Sequence, residues 1–316
     1  MDSIVDHNDA ITLEPVCLLT EPRRIATDDY IFDVALLTCS DEPDGGEDTQ
    51  LLTDACSAVG IRLRPIIWSH AQTDWSEFHA VLPLNVWDYA FRRSSFHSWL
   101  ADREREGARM LNSIPLVRWN MDKTYLLDLQ EQGVPMSELQ LRPAGTAFPG
   151  TWDENTTLVI KPRFGSGGYH LELLNATSWV APQRDVLVQR YQPWVVERGE
   201  LSVVCVEGVP VGCFRRLPET GDFRASGRCG AQAEEALLTE RAEQAAQHVL
   251  NLLPEAPLYC RLDFWDLDDE PWQLVEAELF EPDLHLRLME GVADVFACAL
   301  RRRLSSSGQL DLLNHG

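Results

Sequence analysis

The sequence predicts an α/β protein whose second half is of the α+β type, on three observations. Residues 33–106 alternate buried-type strands with amphipathic helices, which is typical of a parallel sheet. Residues 200–216 and 258–280 contain pairs of strands joined by short turns, which is typical of antiparallel hairpins. Glycine-broken loops at 165–168 and 221–230 interrupt the later strands. We therefore expect a small doubly wound domain followed by α+β units.

Composition limits the kind of partner. The chain has 316 residues, 45% of them hydrophobic, a net charge of −23 and a pI near 4.6. A broad nucleic-acid or anionic-membrane surface needs basic charge, so both partners are excluded. No apolar run approaches the roughly 20 residues of a membrane span, and the eight cysteines show no C-x-x-C spacing. We expect reduced thiols and a cytoplasmic location, with residues 1–30 as an irregular acidic extension.

The elements of the first domain follow from hydrophobic periodicity. They are strands at 34–38, 61–68 and 80–84 and helices at 51–59 and 91–106. A further helix is predicted to begin at Asn120 or Asp122 and to end at Gly133. Lys123 would then lie in the first helical turn, where a positive charge opposes the helix dipole. A bound anion would account for this position, and a lysine that points to water is the alternative.

A lysine and a glycine loop follow one apolar strand. Residues 158–168 read LVIKPRFGSGG, so the strand ends at Lys161 and Pro162 and enters a flexible turn. Backbone N–H groups of such a turn can converge on a phosphate because no Cβ blocks the approach. The spacing matches neither the Walker pattern nor G-x-G-x-x-G, so a plain surface hairpin is the alternative.

Lysine usage favours the functional interpretation. Lys+Arg total 27, yet the only two lysines are Lys123 and Lys161. A compact ammonium commonly holds nucleotide phosphates as a point charge, whereas arginine serves surface solubility equally well. The two lysines are therefore predicted to share one task, with chance survival under codon bias as the alternative.

Three carboxylates are predicted to share one face of a hairpin. Period-2 alternation puts Arg261 and Asp263 on one face of strand 258–264, and Glu276 and Glu278 on one face of strand 272–280. Carboxylates this close repel one another unless a cation or a proton intervenes. Oxygen ligands without His or Cys suit Mg²⁺ rather than zinc. A solvated acidic hairpin is the alternative.

These pieces, in this order, resemble the ATP-grasp superfamily of carboxylate-amine ligases, and within it the branch that contains the cycloserine-forming ligase and glutathione-synthetase-like proteins. The motifs that carry the resemblance are 119–126 (WNMDKTYL), 159–162 (VIKP) with the glycine loop, 188–191 (VQRY), 221–224 (GDFR), 261–263 (RLD) and 276–282 (EAELFEP). The family usually has Asn where this chain has Glu278. Relatives carry Arg-Ser-Thr before the Trp87-Asp88-Tyr89 segment, where this chain has residues 83–86 (PLNV).

The resemblance implies an ATP-grasp fold in which two α+β subdomains clasp ATP. Its expected boundaries are 1–30 for the extension, 31–115 for the N-terminal α/β domain, 116–192 for the central subdomain and 193–316 for the C-terminal subdomain. The nucleotide-binding residues it implies are Lys123, Lys161, Gly165, Ser166, Gly167, Gly168, Gln189, Arg190, Tyr191, Glu197 and Glu200. Two Mg²⁺ ions, with Mn²⁺ as an alternative, are expected on Asp263, Glu276 and Glu278.

The implied reaction is amide formation through an acyl phosphate, on a small carboxylate and an amine. The predicted catalytic residues are Arg224, Arg261 and Lys161, with Arg224 as first choice to hold the oxyanion. The glycine loop is expected to close over the phosphates and exclude water. A small-molecule kinase and a silent nucleotide-binding protein are the alternatives, and a homodimer is expected by analogy only.

Overall fold

The computed structural model describes residues 30–268 and 270–306. The predicted extension at 1–30 lies outside this part, apart from Tyr30. No described helix is both long and apolar enough to cross a membrane. The fold contains three sheets, one parallel and two antiparallel, as the α/β and α+β prediction requires.

The first sheet is parallel and has the strand order β2-β1-β3. Its elements are β1 (Phe32–Thr38), α1 (Thr49–Ala58), β2 (Ile61–Ile67), β3 (Ala80–Leu82) and α2 (Arg93–Arg105). Leu36 of β1 packs on α1, and Leu37 packs on the opposite face against Trp99 of α2. Helices therefore cover both faces, and the predicted elements of this region are confirmed with small shifts at their ends.

Two short helices follow, where the sequence predicted one. They are α3 (Ile114–Met121) and α4 (Tyr125–Glu131). Ser113 caps α3, since its hydroxyl accepts a hydrogen bond from the Leu116 N–H at 3.2 Å. The prediction that Lys123 lies in the first helical turn is wrong, because Lys123 lies between α3 and α4. Its backbone N–H donates to the carbonyl of Arg163 at 2.9 Å, which fixes it beside the glycine loop.

The second sheet is antiparallel and has the order β4-β7-β5-β6. Its strands are β4 (Leu139–Arg142), β5 (Leu158–Pro162), β6 (Glu172–Leu174) and β7 (Val186–Arg190). The predicted strand that ends at Lys161 and Pro162 is β5, which lies at the centre beside β7, and the edge strands β4 and β6 were not predicted. Lys161 is therefore near the end of a central strand, and the glycine loop begins four residues after it.

The third sheet is antiparallel and has the order β10-β9-β8-β11-β12. Its strands, and the helices around them, are α5 (Val195–Arg198), β8 (Glu200–Val206), β9 (Val209–Leu217), β10 (Gln232–Ala236), α6 (Glu240–Leu250), β11 (Tyr259–Trp265), β12 (Gln273–Glu278) and α7 (Val292–Ser306). The β8–β9 turn has positive φ at both Glu207 (49°) and Gly208 (77°), as a two-residue hairpin of this hand requires.

The last helix returns to the first sheet. Phe296 and Leu300 of α7 are fully buried in the same core as Leu52 of α1 and Leu36 of β1. That core continues into Phe214 of β9, so α7 joins the parallel sheet to the third sheet. This packing holds the N-terminal region beside the strands that carry the carboxylates.

Candidate active site

The three predicted metal ligands meet on one face of the β11–β12 hairpin. The register places Asp263 opposite Glu276 and Arg261 opposite Glu278. One oxygen from each of Asp263, Glu276 and Glu278 lies within 4.8 Å of the other two. The alternation of residues along the two strands thus brings together the side chains that the sequence predicted. Unlike a solvated acidic hairpin, this face is largely covered: Asp263 has no exposed surface, and the side chains of Glu276 and Glu278 are 29% and 18% exposed.

Two arginines compensate the buried carboxylates. Arg261 donates to both oxygens of Asp263, at 2.9 and 3.0 Å, and to Glu278 at 2.6 Å. Arg216 lies 2.7 Å from Asp263 and donates to Glu200 at 2.8 Å. These contacts hold the pKa of Asp263 at about 2, against the opposing effect of burial. The Asp263 carboxylate is therefore ionised at neutral pH.

The two lysines reach the same cluster from different elements. The ammonium of Lys123, on the α3–α4 connection, hydrogen-bonds Glu276. Lys161, at the end of β5, forms no ion pair within 4.0 Å in the described part of the chain, and it lines the adjoining cavity. Burial lowers the pKa of Lys161, with Glu276 and Glu200 opposing that effect. An uncompensated ammonium in a cavity is a receptor for an anion.

The donor set fits a hard divalent cation. Burial raises the pKa of Glu278 to about 7, and the neighbouring Glu276 and Asp263 act in the same direction, against Arg261. Close carboxylates of this kind are stabilised by added positive charge. Carboxylate oxygens without His or Cys among them suit Mg²⁺, which binds through a few carboxylates together with phosphate oxygens and water. Asp263, Glu276 and Glu278 are thus suited to hold it, as predicted.

A cavity extends from this cluster between the second and third sheets. We call it the nucleotide cavity, after the ligand that the sequence predicts for it. Val159, Val195, Trp265 and Val275 supply apolar walls at its other end. Gln189 is buried there, and its Oε1 has no hydrogen-bond partner in the described structure. A buried orphan acceptor in an apolar slot suits the amino group of a planar base.

Most of the implied nucleotide-binding residues line this cavity. They are Lys123, Lys161, Gly165, Ser166, Gly167, Gly168, Gln189, Tyr191 and Glu200. Arg190 and Glu197 are exposed and are not among its lining residues, so their role stays a prediction. Among the predicted catalytic residues, Arg224 lines the cavity, whereas Arg261 lies beneath the carboxylates and reaches a second, neighbouring cavity.

The glycine loop, residues 165–168, is closed against the segment that follows β3. Ser166 donates to the carbonyl of Trp87 at 3.3 Å, and the exposed rings of Phe91 and Tyr169 meet edge to face at 4.8 Å. Gly167 has φ 61°, and a Cβ there would lie 2.6 Å from Cδ of Arg228. The cavity volume is about 110 Å³, below the 300 Å³ or more usual for ligand sites. Binding of the predicted nucleotide in this cavity would therefore require the loop to move.

The arginine loop, residues 221–230, covers the glycine loop. Arg224 donates to Asp222 through Nε and Nη2, with the shortest contact at 2.6 Å, and its Nη1 lies 3.5 Å from the carbonyl oxygen of Gly168. Burial is slight there, and the Arg224 hydrogen bond lowers the pKa of Asp222 to about 2. Asp222 thus orients Arg224, and the predicted catalytic arginine faces the cavity from a fixed position.

The sequence analysis did not include Arg216 among the site residues. Its side chain is buried between Glu200 and Asp263 and lines both cavities. Glu200 and Arg216 are register partners in the β8–β9 hairpin, and this pairing places Arg216 at the site.

Comparison with known proteins gives a consistent result. The N-terminal domain of D-cycloserine synthetase DcsG matches residues 34–112, and the ATP-grasp domain of prokaryotic glutathione synthetase matches residues 150–262. The chain is 31% identical over 288 residues to the cycloserine biosynthesis protein DcsG of Streptomyces lavendulae, covering 81% of this chain and 94% of that protein. It is 31% identical over 167 residues to a glutathione synthetase of Prochlorococcus marinus, covering 49% and 53%.

Solved structures agree with these matches. The crystal structure of D-cycloserine synthetase DcsG superimposes with a TM-score of 0.73 at 28% identity, over 86% of this chain and 99% of that one. The ligase PsnB, solved with a minimal precursor, Mg and ADP, superimposes with a TM-score of 0.59 at 15% identity, over 86% and 97%. The second likeness shows a shared fold.

Proposed function

Since the chain belongs to the ATP-grasp family of ligases, in the branch of the D-cycloserine synthetase DcsG, it is an ATP-dependent ligase, and we propose that it joins a carboxylate to an amine through an acyl phosphate. The substrates are small and amino-acid-like, and ADP and phosphate are released. The observation that carries this proposal is the meeting of two lysines and three carboxylates at one end of a cavity beneath a glycine loop.

The first step is phosphoryl transfer. A substrate carboxylate oxygen forms a bond to the γ-phosphorus of ATP, and the bond from that phosphorus to the β–γ bridging oxygen breaks, leaving ADP. Lys161 and Lys123 compensate the phosphate charge in this step. Asp263, Glu276 and Glu278 would hold Mg²⁺, which neutralises phosphate oxygens when it is bound.

The second step is amide formation. The amine nitrogen bonds to the acyl carbon and loses a proton, the carbonyl oxygen becomes an oxyanion, and phosphate leaves as the carbonyl reforms. Arg224 is the proposed oxyanion donor because it faces the cavity beside the glycine loop. Arg261 is the second choice, because most of its N–H groups already bind Asp263, Glu278 and the carbonyl of Asp283.

Water must be kept from the acyl phosphate during both steps. The closed glycine loop, held by Ser166 and Tyr169 against the segment after β3, provides that barrier. Closure also brings the Trp87–Phe91 region to the edge of the site, so the N-terminal region contributes to it.

The test is ADP release from ATP and Mg²⁺ with carboxylates and amines supplied singly, in pairs, and as molecules that carry both groups. ADP that appears only when both groups are present, with an amide detected by mass spectrometry, supports the ligase. ADP with a single substrate that emerges as a stable phosphate ester or anhydride would instead identify a kinase. Wild-type protein that binds ATP but releases no ADP with any combination would contradict the proposed function.

A further inference from the structure

The connection between α3 and α4, residues 122–124, carries Lys123 between two sheets. On the side of the third sheet, the Tyr125 hydroxyl donates to the carbonyl of Ala277 at 2.8 Å and accepts a hydrogen bond from its N–H at 2.9 Å. Asn120 donates to the same carbonyl at 2.8 Å. Ala277 lies in β12 between two of the candidate metal ligands. These contacts therefore fix the connection relative to the carboxylates.

Arg163 holds the same connection on the side of the second sheet. Its backbone carbonyl accepts a hydrogen bond from the Lys123 N–H at 2.9 Å. Its guanidinium donates to both oxygens of Asp122, from Nε at 2.9 and 3.0 Å and from Nη2 at 2.7 Å. Asp122 also accepts a hydrogen bond from the Thr124 N–H at 3.1 Å. The Asp122 carboxylate thus closes the turn around Lys123, and Arg163 binds that carboxylate.

Arg163 also has a fixed relation to the second lysine. It follows Lys161 by two residues, and its N–H continues the β5–β7 ladder by donating to the Asp185 carbonyl at 3.4 Å. Residues two apart on an extended strand share a face of the sheet. Burial lowers the pKa of Lys161, and the like charge of Lys123 adds to that effect, so the two ammonium groups are close enough to interact. Arg163 therefore connects the backbone segments that carry both lysines.

The pair of Arg163 and Asp122 suits a role in geometry better than a role in stability. The two side chains are 32% and 23% exposed. Partly exposed ion pairs stabilise a fold only weakly, but a bidentate arginine–carboxylate pair fixes two planar groups relative to each other. An ammonium offers a point charge without this fork, so a lysine would not hold the carboxylate in the same way.

We propose that Arg163 is a positioning residue that holds Lys123 beside Lys161, so that both ammonium groups reach the phosphates of one nucleotide together. The inference rests on the nucleotide-binding role proposed for the two lysines, and it adds a residue that does not line the nucleotide cavity. Lys161 is carried by a central strand, whereas Lys123 lies between two short helices and depends on tertiary contacts for its position. Without the Arg163 side chain, the connection keeps its contacts with the third sheet and loses its side-chain contact with the second.

The experiment measures nucleotide affinity with defined probes. Isothermal titration in the presence of Mg²⁺ gives the Kd of a non-hydrolysable ATP analogue, and competition by adenosine, which has no phosphate, gives the affinity for the base and ribose alone. Arg163→Ala should weaken binding of the analogue roughly tenfold, the lower end of the range for a lost charged hydrogen bond, because both lysines remain present. Adenosine binding should stay unchanged. Arg163→Lys should recover only part of the affinity, because the fork is missing.

A double-mutant cycle tests whether Arg163 acts through Asp122. Asp122→Asn keeps an oxygen for the Thr124 N–H and removes the charge, and it should also weaken binding of the analogue. Long-range electrostatics alone predicts the opposite, since loss of a negative charge favours an anion. The double variant should lose no more affinity than either single variant. The matched control is Asp185→Asn, at the other carboxylate that Arg163 binds, 3.2 Å from Nη1 and not adjacent to a lysine, and it should leave the Kd unchanged.

The outcomes separate positioning from other effects. Tighter binding of the analogue by Asp122→Asn would show an effect of charge alone, and an equal loss of adenosine affinity would show a general structural defect. Additive losses would show that Arg163 acts through another contact, such as the Phe164 ring at 5.4 Å from its Cζ. Each of these three results would overturn the proposal. Wild-type protein that binds the analogue but releases no ADP would remove the ligase assignment and leave the role of Arg163 to be decided by the same Kd values. Wild-type protein that binds no nucleotide would remove both.

Discussion

Glu278 is expected to make the ligand-free protein less stable as the pH rises. Burial first, and then Glu276 and Asp263, raise the pKa of Glu278 from 4.5 to about 7 in the folded chain. Between these two values the folded protein keeps a proton that the unfolded chain has released, so the free energy of unfolding falls as the pH increases. This contribution is complete below about pH 4.5 and is lost as the pH passes through 7. The gap corresponds to about 3 kcal/mol, at 1.36 kcal/mol per pH unit.

The variant Glu278→Gln isolates this effect because it keeps the shape of the side chain and removes the titration. At pH 8.5 it should be more stable than the wild type by about 3 kcal/mol, or roughly 6 °C in Tm for a chain of this size. At pH 4.5 the two proteins should be nearly equal. The measurement is thermal unfolding from pH 4.5 to 8.5 without nucleotide or divalent cation.

The control and the refuting result follow from the same structure. Glu131→Gln, at an exposed position at the end of α4, should leave the pH profile unchanged. The reasoning is refuted if Glu278→Gln is less stable than the wild type at pH 8.5, or if its difference from the wild type does not change with pH. Added Mg²⁺ should raise the Tm of the wild type at pH 8.5 more than that of the variant, because the variant has lost a carboxylate ligand.

Three further predictions concern the site and its support. Lys161→Ala and Glu276→Ala should each abolish ADP formation while the Tm stays within a few degrees of the wild type, and retained turnover in either would contradict the site assignment. Arg216→Ala should lower the free energy of unfolding by about 3–5 kcal/mol, because the buried carboxylates of Glu200 and Asp263 each lose an arginine partner. The control Arg215→Ala removes a partly exposed ion pair with Asp266 and should lower it by at most about 1 kcal/mol. Equal losses of Tm in the two variants would contradict this prediction. Tyr169→Ala removes the edge-to-face contact between the Tyr169 and Phe91 rings, which is worth about 0.5–1.5 kcal/mol. Water should then hydrolyse part of the acyl phosphate, so more ADP than amide should form. An unchanged ratio of ADP to amide would show that this contact does not control closure of the glycine loop.

The carboxylate cluster was predictable because it depends on local rules. Alternation along a strand has a period of two, and the short turn between the strands at 259–265 and 273–278 leaves little choice of partner. The bulge after Asp263 begins only beyond the paired ligands, so it does not disturb them. The lysines were found by a different signal, their rarity in the composition, which needs no structure at all.

Arg216 shows where such rules stop. Counting back from the Glu207–Gly208 turn places Glu200 opposite Arg215 if the pairing stays regular. A bulge at Val204/Cys205 shifts the register by one residue, so Arg216 faces Glu200 and Asp263 while Arg215 pairs with Asp266. A one-residue shift moves each side chain to the other face of the sheet. The sequence contains no signal for this bulge that we recognise, and the wrong arginine therefore looks equally suitable.

The remaining differences between prediction and structure concern helices α3 and α7. Helix α3 is short and follows an irregular connection, so the sequence analysis did not recognise its cap at Ser113 and predicted a single helix in place of α3 and α4. The packing of helix α7 on Leu52 and Leu36 joins residues more than 200 positions apart in the chain. Hydrophobic periodicity indicates which face of such a helix is buried without identifying the surface that it packs against. The position of the N-terminal region at the edge of the site follows from that contact.

The charges at the site also explain why this cluster tolerates burial. Lys123 compensates Glu276 and Arg261 compensates Glu278 in the ligand-free protein, so no ionised ligand is left without positive charge. On the proposed function, Lys123 would exchange Glu276 for a phosphate oxygen, and the carboxylates would hold Mg²⁺. A lysine suits this exchange better than an arginine, because a single ammonium leaves a carboxylate more readily than a bidentate fork does. That difference gives a physical reason for a lysine at position 123 in a chain that otherwise uses arginine, and it relates this lysine to the movement of charge rather than to stability.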